Sequence, residues 1–191
     1  MIILASRSPQ RRGLLASLGV PFRVVASQEE EQSDPALAAG ERVMLHARGK
    51  AHEVASRAGV PEGGAVLGAD TEVVADGRAL GKPADAADAR RMLAGLSGRT
   101  HQVMSGVVLV TPEGADEALA IADVRLRDID GPLMEWYLDL GEWRGRAGGY
   151  AIQGAGAALV DSIVGDPTTV IGLPLGDVAA LLRARALFPP A

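Results

Sequence analysis

The sequence predicts an α/β fold in one domain spanning residues 1–191. Short apolar runs of strand length alternate with longer helical segments along the whole chain, as an α/β protein requires. Apolar residues make up 48% of the 191, enough to bury a real core at this length. No repeat, low-complexity tract or long linker interrupts the alternation, so the length fits one domain, or one domain with two lobes. Aromatics are scarce, at two Trp, two Tyr and two Phe, so the core is expected to consist of Ala, Val, Leu and Ile.

The elements follow in order. Residues 1–5 read as a short buried strand. Ser8-Pro9 opens a helix, because Ser caps well and Pro fits the first helical position; Leu14, Leu15 and Leu18 give its apolar face and Gly19 stops it. A strand is expected over 22–27, then a polar loop with Glu29, Glu30, Glu31 and Asp34. A longer helix follows over 37–58, with Val43, Ala47, Ala51 and Val54 on one face. Residues 65–74 read as strand, and Asp76-Gly77 is a hairpin turn signal. A helix over 85–95 ends near Gly98. Two long strands, 101–111 and 118–127, are joined by a turn at Pro112-Glu113-Gly114. A helix covers 131–140, and the Gly-rich stretch 141–156 reads as a loop built for a site. A strand over 157–164 precedes Gly165-Asp166-Pro167, and a last helix runs from Pro174 to about 187.

Composition excludes several function classes. The net charge of −5 argues against a nucleic-acid footprint, which shows a basic excess or stripe. The absence of Cys removes disulfides, thiolate metal sites and Cys nucleophiles. His46, His52 and His101 do not have metalloprotease spacing. No basic leader precedes the first apolar run, and no apolar run reaches the roughly 18 residues of a membrane helix. The expectation is a soluble cytoplasmic protein without membrane or nucleic-acid partners.

Five features could carry chemistry. Ser6-Arg7-Ser8-Pro9-Gln10-Arg11-Arg12 lies between a strand and a helix, where unpaired backbone N–H groups, hydroxyls and guanidiniums can cradle a phosphate; taken alone, a Ser cap followed by solvated arginines is the simpler reading. Glu29-Glu30-Glu31 could give a hard cation a ligand, or be solvated surface. Asp70 falls inside an apolar strand, where a carboxylate is costly unless paired, at a strand end or bound to metal. Thr71 adds a hydroxyl, and Glu72 shares the side of Asp70 in a regular strand, either as a second ligand or as a solvent-facing residue. Lys occurs only at 50 and 82, against seventeen Arg, so each could supply a compact ammonium to a phosphate; otherwise Lys50 is an exposed helix residue and Lys82 a turn residue. In Gly148-Gly149-Tyr150-Ala151-Ile152-Gln153-Gly154, the Gln amide both donates and accepts and so suits a base edge. No Walker loop or dinucleotide fingerprint is present. The joint content fits phosphate-ester chemistry with a hard metal better than a nucleophilic triad.

Several of these segments, taken in order, resemble the Maf family. They are Leu4-Ala5-Ser6-Arg7-Ser8-Pro9, Gly68-Ala69-Asp70-Thr71, Gly81-Lys82-Pro83, Leu96-Ser97-Gly98-Arg99-Thr100-His101, Ala147 through Gly154, and Val170-Ile171-Gly172-Leu173-Pro174-Leu175. The resemblance spans essentially the whole chain. It implies an inosine-triphosphate-pyrophosphatase-like fold, an elongated mixed sheet flanked by helices with two lobes around a cleft. It implies hydrolysis of nucleoside triphosphates to monophosphates with Mg²⁺ or Mn²⁺, and a homodimer. It makes Asp70 the proton acceptor, and Asp70 and Glu31 the metal carboxylates. Lys50 and Lys82 become the catalytic cations, and Ser6, Ser8, Gln10, Arg11, Thr71 and Gln153 the substrate-binding set. Thr71 and the Tyr-Ala-Ile-Gln stretch look like the dTTP/UTP subfamily, which commonly has Arg where this chain has Gln10. The alternatives are a 7-methyl-GTP or other modified-nucleotide pyrophosphatase, or a nucleotide-binding cell-division regulator with little turnover.

Overall fold

A computed structural model describes residues 1–29 and 37–188. The fold is α/β, with a seven-stranded mixed sheet that does not close into a barrel. The strands are β1 (Ile2–Leu4), β2 (Phe22–Val24), β3 (Ala65–Ala75), β4 (Arg78–Leu80), β5 (Thr100–Thr111), β6 (Gly114–Leu126) and β7 (Val160–Val164). They pair in the order β2-β1-β3-β5-β6-β7, with β4 also on β3. β1 is parallel to both β2 and β3, whereas the β3–β4 and β6–β7 pairs are antiparallel. The helices are α1 (Pro9–Ser17), α2 (Ala39–Ala58), α3 (Ala86–Leu96), α4 (Gly131–Leu140), α5 (Pro167–Ile171) and α6 (Leu175–Ala184). Among the described residues, no helix is long and apolar enough to cross a membrane.

The chain forms two compact units, and β3, β5 and β6 each contribute to both. The first comprises residues 1–71, 105–120 and 172–191. Its core sets the apolar face of α2 against the sheet. Val43, Ala47, Ala51 and Val54 are fully buried, with Ala47, Ala51 and Val54 clustered on Ile3, Val66 and Val108. That is the face expected from the 3.6-residue period. Gly68 is what allows the close packing. A Cβ there would lie 2.5 Å from the Ala47 carbonyl oxygen and 2.7 Å from the Ala51 Cβ, so only a bare α-carbon lets the helix down onto β3.

The second unit comprises residues 72–104 and 121–171. Here the expected aliphatic core is corrected: Tyr137, Trp143 and Tyr150 are all buried beside Leu93, Val124 and Leu159. Three of the chain's six Phe, Tyr and Trp residues thus sit in one cluster. A buried Trp or Tyr usually finds a partner for its polar handle; Trp143 Nε1 donates to the Leu138 carbonyl at 3.0 Å.

Other departures are local. Strand β6 begins at Gly114 rather than 118, because Pro112-Glu113 alone makes the turn. Residues 155–159 form a 3₁₀ turn, so β7 starts at Val160 rather than 157. Helix α5 was not expected; at five residues it is too short for a periodic pattern to appear.

Candidate active site

In the first unit, α1 starts as the sequence implies. Ser8 is its N-cap, and Pro9 occupies the first turn. The Ser8 hydroxyl accepts from the Arg11 amide at 3.4 Å and donates to Gln10 Oε1 at 3.1 Å. Buried Ser6 accepts from the Ser8 amide at 3.2 Å. Ser6, Ser8 and Gln10 are therefore linked by hydrogen bonds at a helix N-terminus, where the backbone favours negative charge. Arg11 turns back on the protein: its Nε donates to the Gly172 carbonyl at 2.8 Å and one terminal nitrogen donates to Thr71 Oγ1 at 3.0 Å. Thr71 in turn shares a 2.8 Å hydrogen bond with the buried Ser105 hydroxyl.

Asp70 is buried, at 6% exposure. Alternation along β3 turns it to the same side as Gly68, hence toward α2. The short approach over Gly68 brings two α2 side chains onto its carboxylate. Lys50 Nζ lies 2.6 Å from Oδ1, and His46 Nδ1 lies 3.3 Å from Oδ2. Lys50 is thus a buried partner and not the exposed helix lysine that one alternative reading allowed. Thr71, the next residue, points to the opposite side of the sheet, with Arg11 and Ser105. The strand therefore divides the two neighbours between a carboxylate face and a guanidinium–hydroxyl face. Glu72 is half-buried, two residues beyond Asp70 on β3.

In the second unit, Lys82 and Gln153 are both exposed. Their segments are tied together, since the Gly148 amide donates to the Gly81 carbonyl at 3.1 Å. Glu31, the other expected metal carboxylate, lies outside the described residues.

Sequence reasoning passed over His46. Its signal was available: it precedes Lys50 by four residues on a predicted helix, so both project from one face. Two polar residues beside the apolar positions 43, 47, 51 and 54 needed a buried partner, and Asp70 is that partner.

Comparison with known proteins bears on the whole chain. The family profile described as "Maf-like protein" matches residues 1–185. A dTTP/UTP pyrophosphatase of Symbiobacterium thermophilum is 45% identical over 183 residues, covering 95% of this chain and 92% of that protein. A dTTP/UTP pyrophosphatase of Myxococcus xanthus is 44% identical over 189 residues, covering 98% of this chain and 93% of its own. A nucleoside triphosphate pyrophosphatase of Xylella fastidiosa is 45% identical, with 95% and 97% covered. With end-to-end coverage on both sides, an α/β sheet of the expected kind and the family's motifs on its strand and helix ends, the chain belongs to the Maf-like protein family.

Proposed function

We propose that this chain hydrolyses nucleoside triphosphates to the monophosphate and pyrophosphate, with dTTP and UTP preferred. The observation that carries the reading is the buried Asp70 carboxylate held between Lys50 and His46, in a chain whose relatives bear pyrophosphatase names. In this reading residues 1–191 act as one catalytic domain in the cytoplasm, as a homodimer.

Asp70 presents hard carboxylate oxygens, the donor type that suits Mg²⁺ or Mn²⁺. Asp70 and Glu31 would hold such a cation, which supplies Lewis-acid stabilisation of phosphate charge when bound. Asp70 also accepts the proton of the attacking water. The water oxygen bonds to the α-phosphorus as the bond to the pyrophosphate oxygen breaks, and the electron pair leaves with pyrophosphate. Lys50 and Lys82 offset the charge that develops there. Lys50 has a second task, fixing the orientation of the Asp70 carboxylate through its 2.6 Å contact with Oδ1. Ser6, Ser8 and the α1 N-terminus receive phosphate oxygens, with Gln10, Arg11, Thr71 and Gln153 as the residues that select the base.

Pyrophosphate release from dTTP, UTP, CTP, GTP and 7-methyl-GTP, with Mg²⁺, Mn²⁺ or chelator, tests this directly. Metal-dependent turnover led by dTTP and UTP is expected. Turnover led by a guanine nucleotide would keep the reaction and overturn the base preference. Tight nucleotide binding without release would overturn the enzyme reading in favour of a binding regulator. Size-exclusion chromatography with light scattering checks the dimer.

A further inference from the structure

Gln153 is an exposed amide on a Gly-rich loop, and an exposed side chain discriminates a ligand well only if its backbone is held in advance. The second unit holds it at two points. Before Gln153, the Tyr150 hydroxyl shares a 2.7 Å hydrogen bond with Nε2 of buried His101. After it, the Glu142 carboxylate accepts from two consecutive amides, Ala155 at 3.1 Å and Gly156 at 2.7 Å. Such paired N–H groups make a small anion nest, and bonds to an ionised acceptor are stronger than neutral ones. Gly154, between Gln153 and the nest, has φ 121°, and a Cβ there would lie 2.1 Å from Glu142 Oε1. The backbone is thus shaped to admit the carboxylate.

We propose that Glu142 is a specificity-positioning residue: it clamps the loop behind Gln153 so that the amide meets the nucleobase edge in one orientation. This rests on the pyrophosphatase reading above and adds a residue to it. Glu142 touches no substrate; it acts through Gln153. Removing the carboxylate frees two amides and loosens the loop, so base discrimination falls while the chemistry at phosphorus persists.

The test compares wild type, Glu142→Ala, Glu142→Gln, Gln153→Ala and the Glu142→Ala/Gln153→Ala double variant on dTTP and GTP. Amide hydrogen exchange at Ala155 and Gly156 is followed on the same samples. In Glu142→Ala, exchange at both amides should quicken. The dTTP-over-GTP ratio of kcat/KM should fall about tenfold, mainly through KM for dTTP. Glu142→Gln, which keeps one acceptor oxygen, should recover part of the ratio, and it carries the comparison if the alanine variant does not fold. The double variant should lose no more discrimination than Gln153→Ala, because the two act as one unit. Unchanged discrimination in the Glu142 variants, or additive losses in the double variant, would overturn the proposal. A wild type that releases pyrophosphate from both bases equally overturns it while leaving the reaction intact; a wild type that releases none overturns the pyrophosphatase reading as well.

Discussion

The Lys50 ammonium sits 2.6 Å from Asp70 Oδ1, and both residues are buried. A helix and a strand are therefore joined by an ion pair shielded from water. Breaking such a pair from one side leaves an uncompensated buried charge, at about 3–5 kcal/mol. Lys50→Met should destabilise the fold by that order, and Asp70→Asn by less, because the amide still accepts from Lys50. The double variant should be more stable than the sum of the two losses implies. Urea denaturation of the three variants measures this coupling.

Asp70→Asn should lower kcat by roughly 10²–10⁴, the range for loss of a general base. Circular dichroism like that of wild type would show that the loss is chemical. Near-normal turnover in a folded Asp70→Asn variant would remove Asp70 from the mechanism.

His46 bears on the other carboxylate oxygen. Asn places a nitrogen close to the position of Nδ1, so His46→Asn should retain most of kcat. His46→Leu, with the same bulk and no donor, should lower kcat about tenfold or more while KM changes little. Equal activities in the two variants would show that the contact does not matter to turnover.

Gly68→Ala should destabilise by about 1–3 kcal/mol, the usual range for overpacking, since its methyl meets the Ala47 carbonyl at 2.5 Å. Activity should fall beyond the loss of folded protein, because lifting α2 draws Lys50 and His46 away from Asp70. Comparing thermal melting with specific activity separates the two effects.

Burial pushes the His101 imidazole down to about 4. The unfolded chain then binds a proton that the folded chain refuses below the ordinary His value near 6.5. Stability should therefore be complete above pH 7 and be lost as pH falls from about 6.5 to 4, by roughly 3 kcal/mol in all. His101→Gln should flatten that slope, as denaturant titrations across this window would reveal.

Much of this was legible in the sequence. The start of α1 was marked by Ser8-Pro9 and the buried face of α2 by the spacing of Val43 to Val54, each a local signal. The position of Asp70 was marked by its cost in an apolar strand. What was not legible is long-range. Lys50 and Asp70 are 20 residues apart, and their pairing depends on Gly68 letting α2 descend, a property of packing that no local pattern encodes. The opposite facing of Asp70 and Thr71 follows from strand alternation alone, yet their shared motif hides it. The His101–Tyr150 pair spans 49 residues and was equally out of reach.

The first unit is assembled from three stretches of chain, the last beginning at Gly172. Leu173, Val178 and Leu182 of that stretch are buried. During synthesis, residues 1–71 leave the ribosome well before the piece that completes their unit. At 5–20 residues per second, about 5–20 seconds pass before it follows. Through that interval Arg11 lacks the Gly172 carbonyl to which its Nε donates in the finished fold. A chain truncated before Gly172 should therefore emerge as a client for chaperones, and neither unit can be expressed as one uninterrupted segment.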